Sequence, residues 1–252
     1  MEQKKRYTMI DMIRGLTICS MILFHATWDL VNLYDWDWPW FESVFAYVWQ
    51  QSICWSFIFL SGFCWGFGSR HVKRGLTVLF AGLLVTIVTR IMMPDSFILF
   101  GVLTFLGSSM LVMIILDKVL KTCNPYIGAF CALLLFVLTR NVGYGYLGFE
   151  QWNLIQLPKQ LYANLFTTYF GFIKPGFLSV DYFGMFPWLF LFITGYFVHK
   201  MPICNSLMEK QEMIRCRWLE WMGKHSLLIY MIHQPLLYGI LYVFSVIVQN
   251  AQ

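Results

Sequence analysis

The chain is a succession of long apolar runs with short polar interruptions, and within the runs apolar positions do not alternate with polar ones. Runs long enough to cross a bilayer lie at roughly 10–32, 41–66, 75–93, 97–118, 124–139, 181–199 and 225–248. Continuous runs predict helices instead of barrel strands, because a lone helix satisfies its own backbone in lipid. The pattern therefore predicts an all-α, polytopic transmembrane helix bundle of about seven spans, organised as a single domain over residues 1–252. The longest stretch between spans, about 140–180, is aromatic, bears glycine and is barely charged, which suits an outer loop or re-entrant element packed over the helices. Within it, 157–173 could form an eighth span, against the charge bias described next. The segment DWDWPW at 35–40 predicts an interfacial aromatic belt, and 201–224 an amphipathic surface helix ending at Gly223.

Composition agrees with the pattern: of 252 residues, 59% are hydrophobic and only 12% charged, which marks an integral membrane protein. With the N-terminal MEQKKR in the cytoplasm, all of the 18 Lys and Arg except Arg90, Arg140, Lys159 and Lys174 fall on or near that side. This meets the positive-inside rule, so the net charge of +5 is mostly topological and gives no case for nucleic acid as a partner. The basic start and apolar run resemble a signal peptide, but Asp11, Arg14, His25 and Asp29 interrupt it and no small-residue cleavage site follows, so it reads as a retained first helix. The seven Cys lie without CxxC spacing, which supports neither a disulfide framework nor a metal site.

The first span carries polar groups that need a reason. At 100° per residue, Asp11, Arg14, Ile18, Ile22, His25 and Asp29 fall on one stripe, which must face other helices or a watery cavity because charge facing lipid is costly. His25 reads either as a core histidine or, with Asp29 one turn on to fix its tautomer, as a general base. The same pair also reads as a buried ion pair that sets helix packing, or Asp29, near the outer boundary, as simply solvated. Arg14 is either an inner-interface residue paired with Asp11 or a cation for an anionic cofactor entering from the cytoplasm. Arg70, His71, Lys73 and Arg74, in GSRHVKRG, form a stop-transfer cluster that is also well placed for phosphate groups. In the last span Ser226, Tyr230 and His233 make a second polar stripe, either packing glue or a substrate path, with Pro235 just beyond Gln234.

With these residues in view, the chain resembles the superfamily of transmembrane acyltransferases. The resemblance is carried first by an Arg and a His with ten residues between them in IRGLTICSMILFH, and by FIFLSGF at 57–63. It is closer to bacterial relatives of heparan-alpha-glucosaminide N-acetyltransferase. That likeness rests on IDMIRGLTICSMILFHATWDL (10–30), ILFGVLTFLGSSML (98–111), DYFGMFPWLFLFITG (181–195) and LEWMGKHSLLIYMIHQPLL (219–237), which follow in order along nearly the whole chain. One departure is Thr104, where relatives tend to carry His.

The resemblance implies an enzyme that moves an acetyl group from cytoplasmic acetyl-CoA to a glycan or amino-sugar acceptor on the extracytoplasmic side of a bacterial inner membrane. On that reading Arg14, Arg70, Lys73 and Arg74 hold the coenzyme, His25 takes the acceptor's proton or carries the acetyl group, Asp29 orients His25, and Ser226, Tyr230 and His233 line the path. No metal is implied. Two other readings stand beside it: a proton-coupled transporter with His25, Asp29 and His233 as a relay, and a non-catalytic module that binds lipid or a partner in the same place. The aromatic spans suit surrounding lipid or a homodimer equally.

Overall fold

The computed structural model describes residues 7–203 and 215–250. Lys4, Lys5, Arg6 and Lys210 of the charge reading, Cys204, and most of the 201–216 part of the expected surface helix lie outside these residues or at their margins. The helices are α1 (Thr8–Leu33), α2 (Val44–Trp65), α3 (His71–Met92), α4 (Val102–Leu120), α5 (Pro125–Leu138), α6 (Leu165–Tyr169), α7 (Met185–His199), α8 (Arg217–Lys224) and α9 (Ser226–Asn250). Each of the seven expected spans is met by a helix, so the protein is an all-α membrane protein with one small sheet. Among the described residues, α1, α3, α4 and the Ser226–Ile247 part of α9 are long and apolar enough to cross a membrane, whereas α5 and α7 are shorter apolar helices.

The region 140–180 differs from the eighth-span alternative. The helix it contains, α6, has five residues, far short of the roughly 20 a span needs. The stretch also holds an antiparallel hairpin of β1 (Tyr146–Phe149) and β2 (Trp152–Gln156), which the apolar pattern did not foretell. Asn141, almost fully buried, organises it by donating from Nδ2 to the Glu150 carbonyl at 2.8 Å and to Asn153 Oδ1 at 2.9 Å. At the bulge Gly148 has φ of +145° and a Cβ there would lie 1.9 Å from the Trp152 carbonyl oxygen, so only glycine fits. Arg140 closes the element by pairing with Glu150 at 3.2 Å and lying over the Trp188 ring.

The chain forms two compact units, divided within α2. The first comprises residues 1–57 and 206–252, and its described part holds α1, the start of α2, α8 and α9. Here α1 and α8 cross backbone to backbone: a Cβ on Gly15 would lie 2.1 Å from the Leu219 carbonyl oxygen, and one on Gly223 would lie 1.8 Å from that of Asp11. Such close approach is possible only where neither position carries a Cβ. Arg14 reinforces the crossing, pairing with Asp11 at 3.2 Å and donating to the Gly223 carbonyl at 3.3 Å. Trp49 of α2 donates to Ser20 Oγ at 2.8 Å, with Phe24 edge-on to its ring.

The second unit comprises residues 58–205. Its centre is α4, in which every residue from Val102 to Met110 is buried. Reciprocal glycines again set the crossings. A Cβ on Gly82 of α3 would lie 2.5 Å from the Thr104 nitrogen, and one on Gly107 of α4 would lie 2.4 Å from that of Leu79. Gly62 of α2 would meet the Phe192 carbonyl oxygen of α7 at 1.9 Å, and Gly195 that of Phe59 at 2.1 Å. The outer face of α3, including Phe80, Leu84, Ile87 and Ile91, is exposed, as a face toward lipid should be.

This unit has two distinct ends. At one, Trp65 touches the rings of His71 and Tyr196, Tyr196 donates to Asp117, and Lys200 donates to the Lys121 carbonyl. At the other, the segment before α7 pairs with the segment before α4: Phe183 N–H donates to the Phe100 carbonyl at 2.8 Å and Asp181 accepts from Val102 N–H at 3.2 Å, placing a carboxylate at the α4 N-terminus. Two of the sequence blocks that carry the family resemblance are thereby joined.

Candidate functional site

The first unit contains a buried polar cluster built by α1 and α9. His25 and Asp29 follow each other by one turn of α1, and His233 and Gln234 are neighbours on α9, just before Pro235. The His25 and His233 rings stand 5.0 Å apart between centroids. Gln234 Nε2 donates to Asp29 Oδ1 at 2.8 Å. Asp29 is 0% exposed and His233 7%, so neither can be satisfied by bulk water.

Each hydrogen bond fixes a polarity. A carboxylate only accepts, so the Gln234 amide must turn its NH₂ toward Asp29 and leave its carbonyl oxygen facing elsewhere. His233 Nδ1 lies 2.6 Å from the Tyr230 carbonyl oxygen, itself only an acceptor, so Nδ1 carries the hydrogen and Nε2 keeps its lone pair. Three buried atoms of the cluster have no protein partner: Asp29 Oδ2, Gln234 Oε1 and His233 Nε2. All three are hydrogen-bond acceptors in this arrangement. An unpartnered buried polar group costs about 1–3 kcal/mol, so each of the three is a costly feature of this part of the fold.

The other expected residues fall as follows. Asp29 makes its hydrogen bond to Gln234 and not to His25, which corrects the expected orienting pair. The physical reason is the donor: a primary amide reaching across from α9 can supply an N–H to the carboxylate without fixing the imidazole tautomer. His25 is half-buried and meets the rings of Phe24 and His233. Tyr230 joins the cluster through its carbonyl and its ring, whose centroid lies 5.4 Å from that of His233. Ser226 does not, standing two turns earlier on α9, about 10 Å along the axis. Arg14 is engaged at the α1/α8 crossing, about 16 Å along α1 from His25. In the second unit Arg70, Lys73 and Arg74 are exposed at the start of α3, and the His71 ring is stacked on Trp65 with centroids 4.0 Å apart. Gln234 is the residue that sequence reasoning passed over. A primary amide next to His233 on the polar stripe of this helix was the available signal.

Apolar helices of spanning length, with a buried polar cluster between α1 and α9 of the first unit, define a polytopic membrane protein with polar groups inside its spans. The particular family follows from comparison: residues 6–235 match heparan-alpha-glucosaminide N-acetyltransferase, catalytic, and the chain belongs to that family. The match takes in Arg14, the Arg70–Arg74 segment and the whole α1/α9 cluster, ending immediately after Gln234. No curated protein and no solved structure matches the chain.

Proposed function

We propose that this protein transfers an acetyl group from acetyl-CoA, bound at the cytoplasmic side of a bacterial inner membrane, to a glycan or amino-sugar acceptor at the extracytoplasmic side. The observation that supports this most directly is the buried cluster of His25, Asp29, His233 and Gln234, which lies within the family match and leaves acceptor atoms open. Acetyl transfer needs a group to receive the proton of an amine or hydroxyl as it attacks the thioester carbon, and imidazole does this near neutral pH. The cluster offers two imidazoles for this, those of His25 and His233, and His25 is alternatively the group that carries the acetyl between donor and acceptor. The exposed Arg70, Lys73 and Arg74 suit the phosphates of the coenzyme. Arg14, bonded to Asp11 and Gly223, contributes less directly.

The test is release of free coenzyme A from acetyl-CoA by the purified chain in detergent, with amino sugars and glycans as acceptors. Acceptor-stimulated release is expected from the wild type, with His25→Ala slower by about a hundredfold or more. A wild type that neither binds nor consumes acetyl-CoA would overturn the reading in favour of a proton-coupled transporter using the same residues.

A further inference from the structure

Two imidazoles meet in the cluster, and their settings differ. His25 packs against the rings of Phe24 and His233, and among the described residues no hydrogen bond to its ring nitrogens fixes its tautomer. His233 is 7% exposed, and the Tyr230 carbonyl one turn earlier accepts from Nδ1 at 2.6 Å. That bond leaves Nε2 buried, unprotonated and without a protein partner. A general base needs a lone pair of fixed direction before the substrate arrives, since orientation is part of the catalytic advantage. The groups about it suit the task. Asp29 on α1 is held by Gln234, the next residue to His233, and its second oxygen has no protein partner.

We propose that His233, through Nε2, is the base that receives the proton of the acceptor, and that Asp29 Oδ2 and Gln234 Oε1 accept from the second N–H of an amine acceptor or from O–H groups next to its nucleophilic atom. This rests on the acetyl-transfer reading and deepens it. The acceptor's amine nitrogen or hydroxyl oxygen bonds to the acetyl carbon as its proton passes to His233 Nε2. The carbon–sulfur bond breaks with its electron pair remaining on sulfur. The proton then leaves His233 for the thiolate, so the products are acetylated acceptor and coenzyme A thiol, and the imidazole returns to its starting tautomer. A site whose open atoms are all acceptors favours a donor-rich centre and disfavours groups that can only accept.

Two measurements test the assignment. The first uses the whole chain in detergent with ¹⁵N-labelled histidine. The His233 signal, identified by its loss in His233→Gln, is expected to report a protonated Nδ1 and a bare Nε2. A protonated Nε2 would overturn the proposal with no reference to activity. The second measures coenzyme A release with acetyl-CoA and glucosamine as the probe pair. His233→Gln and His233→Ala are expected to lower kcat by about a hundredfold or more while KM for acetyl-CoA stays within about threefold. Variants that keep kcat within about threefold of wild type would overturn the proposal. Absence of release from the wild type would instead sink the acetyl-transfer reading, and the proton role with it, while the tautomer of His233 would still be read from the first measurement.

Discussion

At the scale of single residues, the contact between Asp29 and Gln234 is the hinge on which the site turns. A carboxylate with 0% exposure carries one hydrogen bond from the protein, across from α9. Removing that donor leaves the charge buried and unpaired, whereas removing both partners returns the position to apolar packing. Gln234→Leu is therefore expected to lower stability by about 1–3 kcal/mol, read as a fall in the thermal midpoint in detergent. The double variant Asp29→Leu with Gln234→Leu should recover part of that loss. A double variant less stable than either single one would show that the bond is not the link between α1 and α9. The polar stripe with His25 and Asp29 was legible because helical period alone puts 25 and 29 on one face. The partner was not, since periodicity on one helix says nothing about which residue of another stands opposite. For the same reason His25 was expected to receive the carboxylate that Gln234 holds.

At the scale of elements, the helices themselves were legible almost to their ends, because a long apolar run has few alternatives in lipid. The hairpin was not. The segment YLGFEQWNLIQ is aromatic and carries a single charge, Glu150, and its strand character comes from the bulge at Gly148 and the buried Asn141 side chain, which no local period reveals. Equally hidden was which glycines pack helices. Gly62 and Gly195 face one another's helices so closely that any Cβ must push the backbones apart, while Gly239 on α9 has nothing within 4 Å of where its Cβ would be. Gly62→Ala is accordingly expected to destabilise by about 1–3 kcal/mol through overpacking. Gly239→Ala should be neutral or stabilise by up to about 1 kcal/mol through helix propensity. Paired melting curves in one detergent decide this, and equal midpoints for the two variants would remove close backbone contact as the basis of the α2/α7 crossing.

At the scale of the whole molecule, charge and topology make one statement. In the second unit α3 begins, and α4 and α7 end, at the end that carries Arg70, Lys73, Arg74, Lys118, Lys121 and Lys200. Arg90 lies in the last turn of α3, at the opposite end, and Arg140 and Lys174 belong to the long connection that closes there. The residues that the positive-inside rule leaves outside are thus the ones that the fold of this unit separates from the basic cluster. If acetyl-CoA arrives from the cytoplasm, the cluster must face it, because a coenzyme bearing several phosphates neither crosses the bilayer nor binds at a face without cations. Cys123, exposed in the turn between α4 and α5, reports that end, and Lys174→Cys would report the other. In a chain whose other cysteines are replaced by alanine, an impermeant maleimide should label Cys123 only in inverted vesicles. In a companion chain that has Cys123 replaced as well, it should label Lys174→Cys only in intact spheroplasts. The reverse pattern would put the basic cluster outside and leave the proposed donor with no route to it, so a single labelling experiment bears on orientation and on the source of the acetyl group at once.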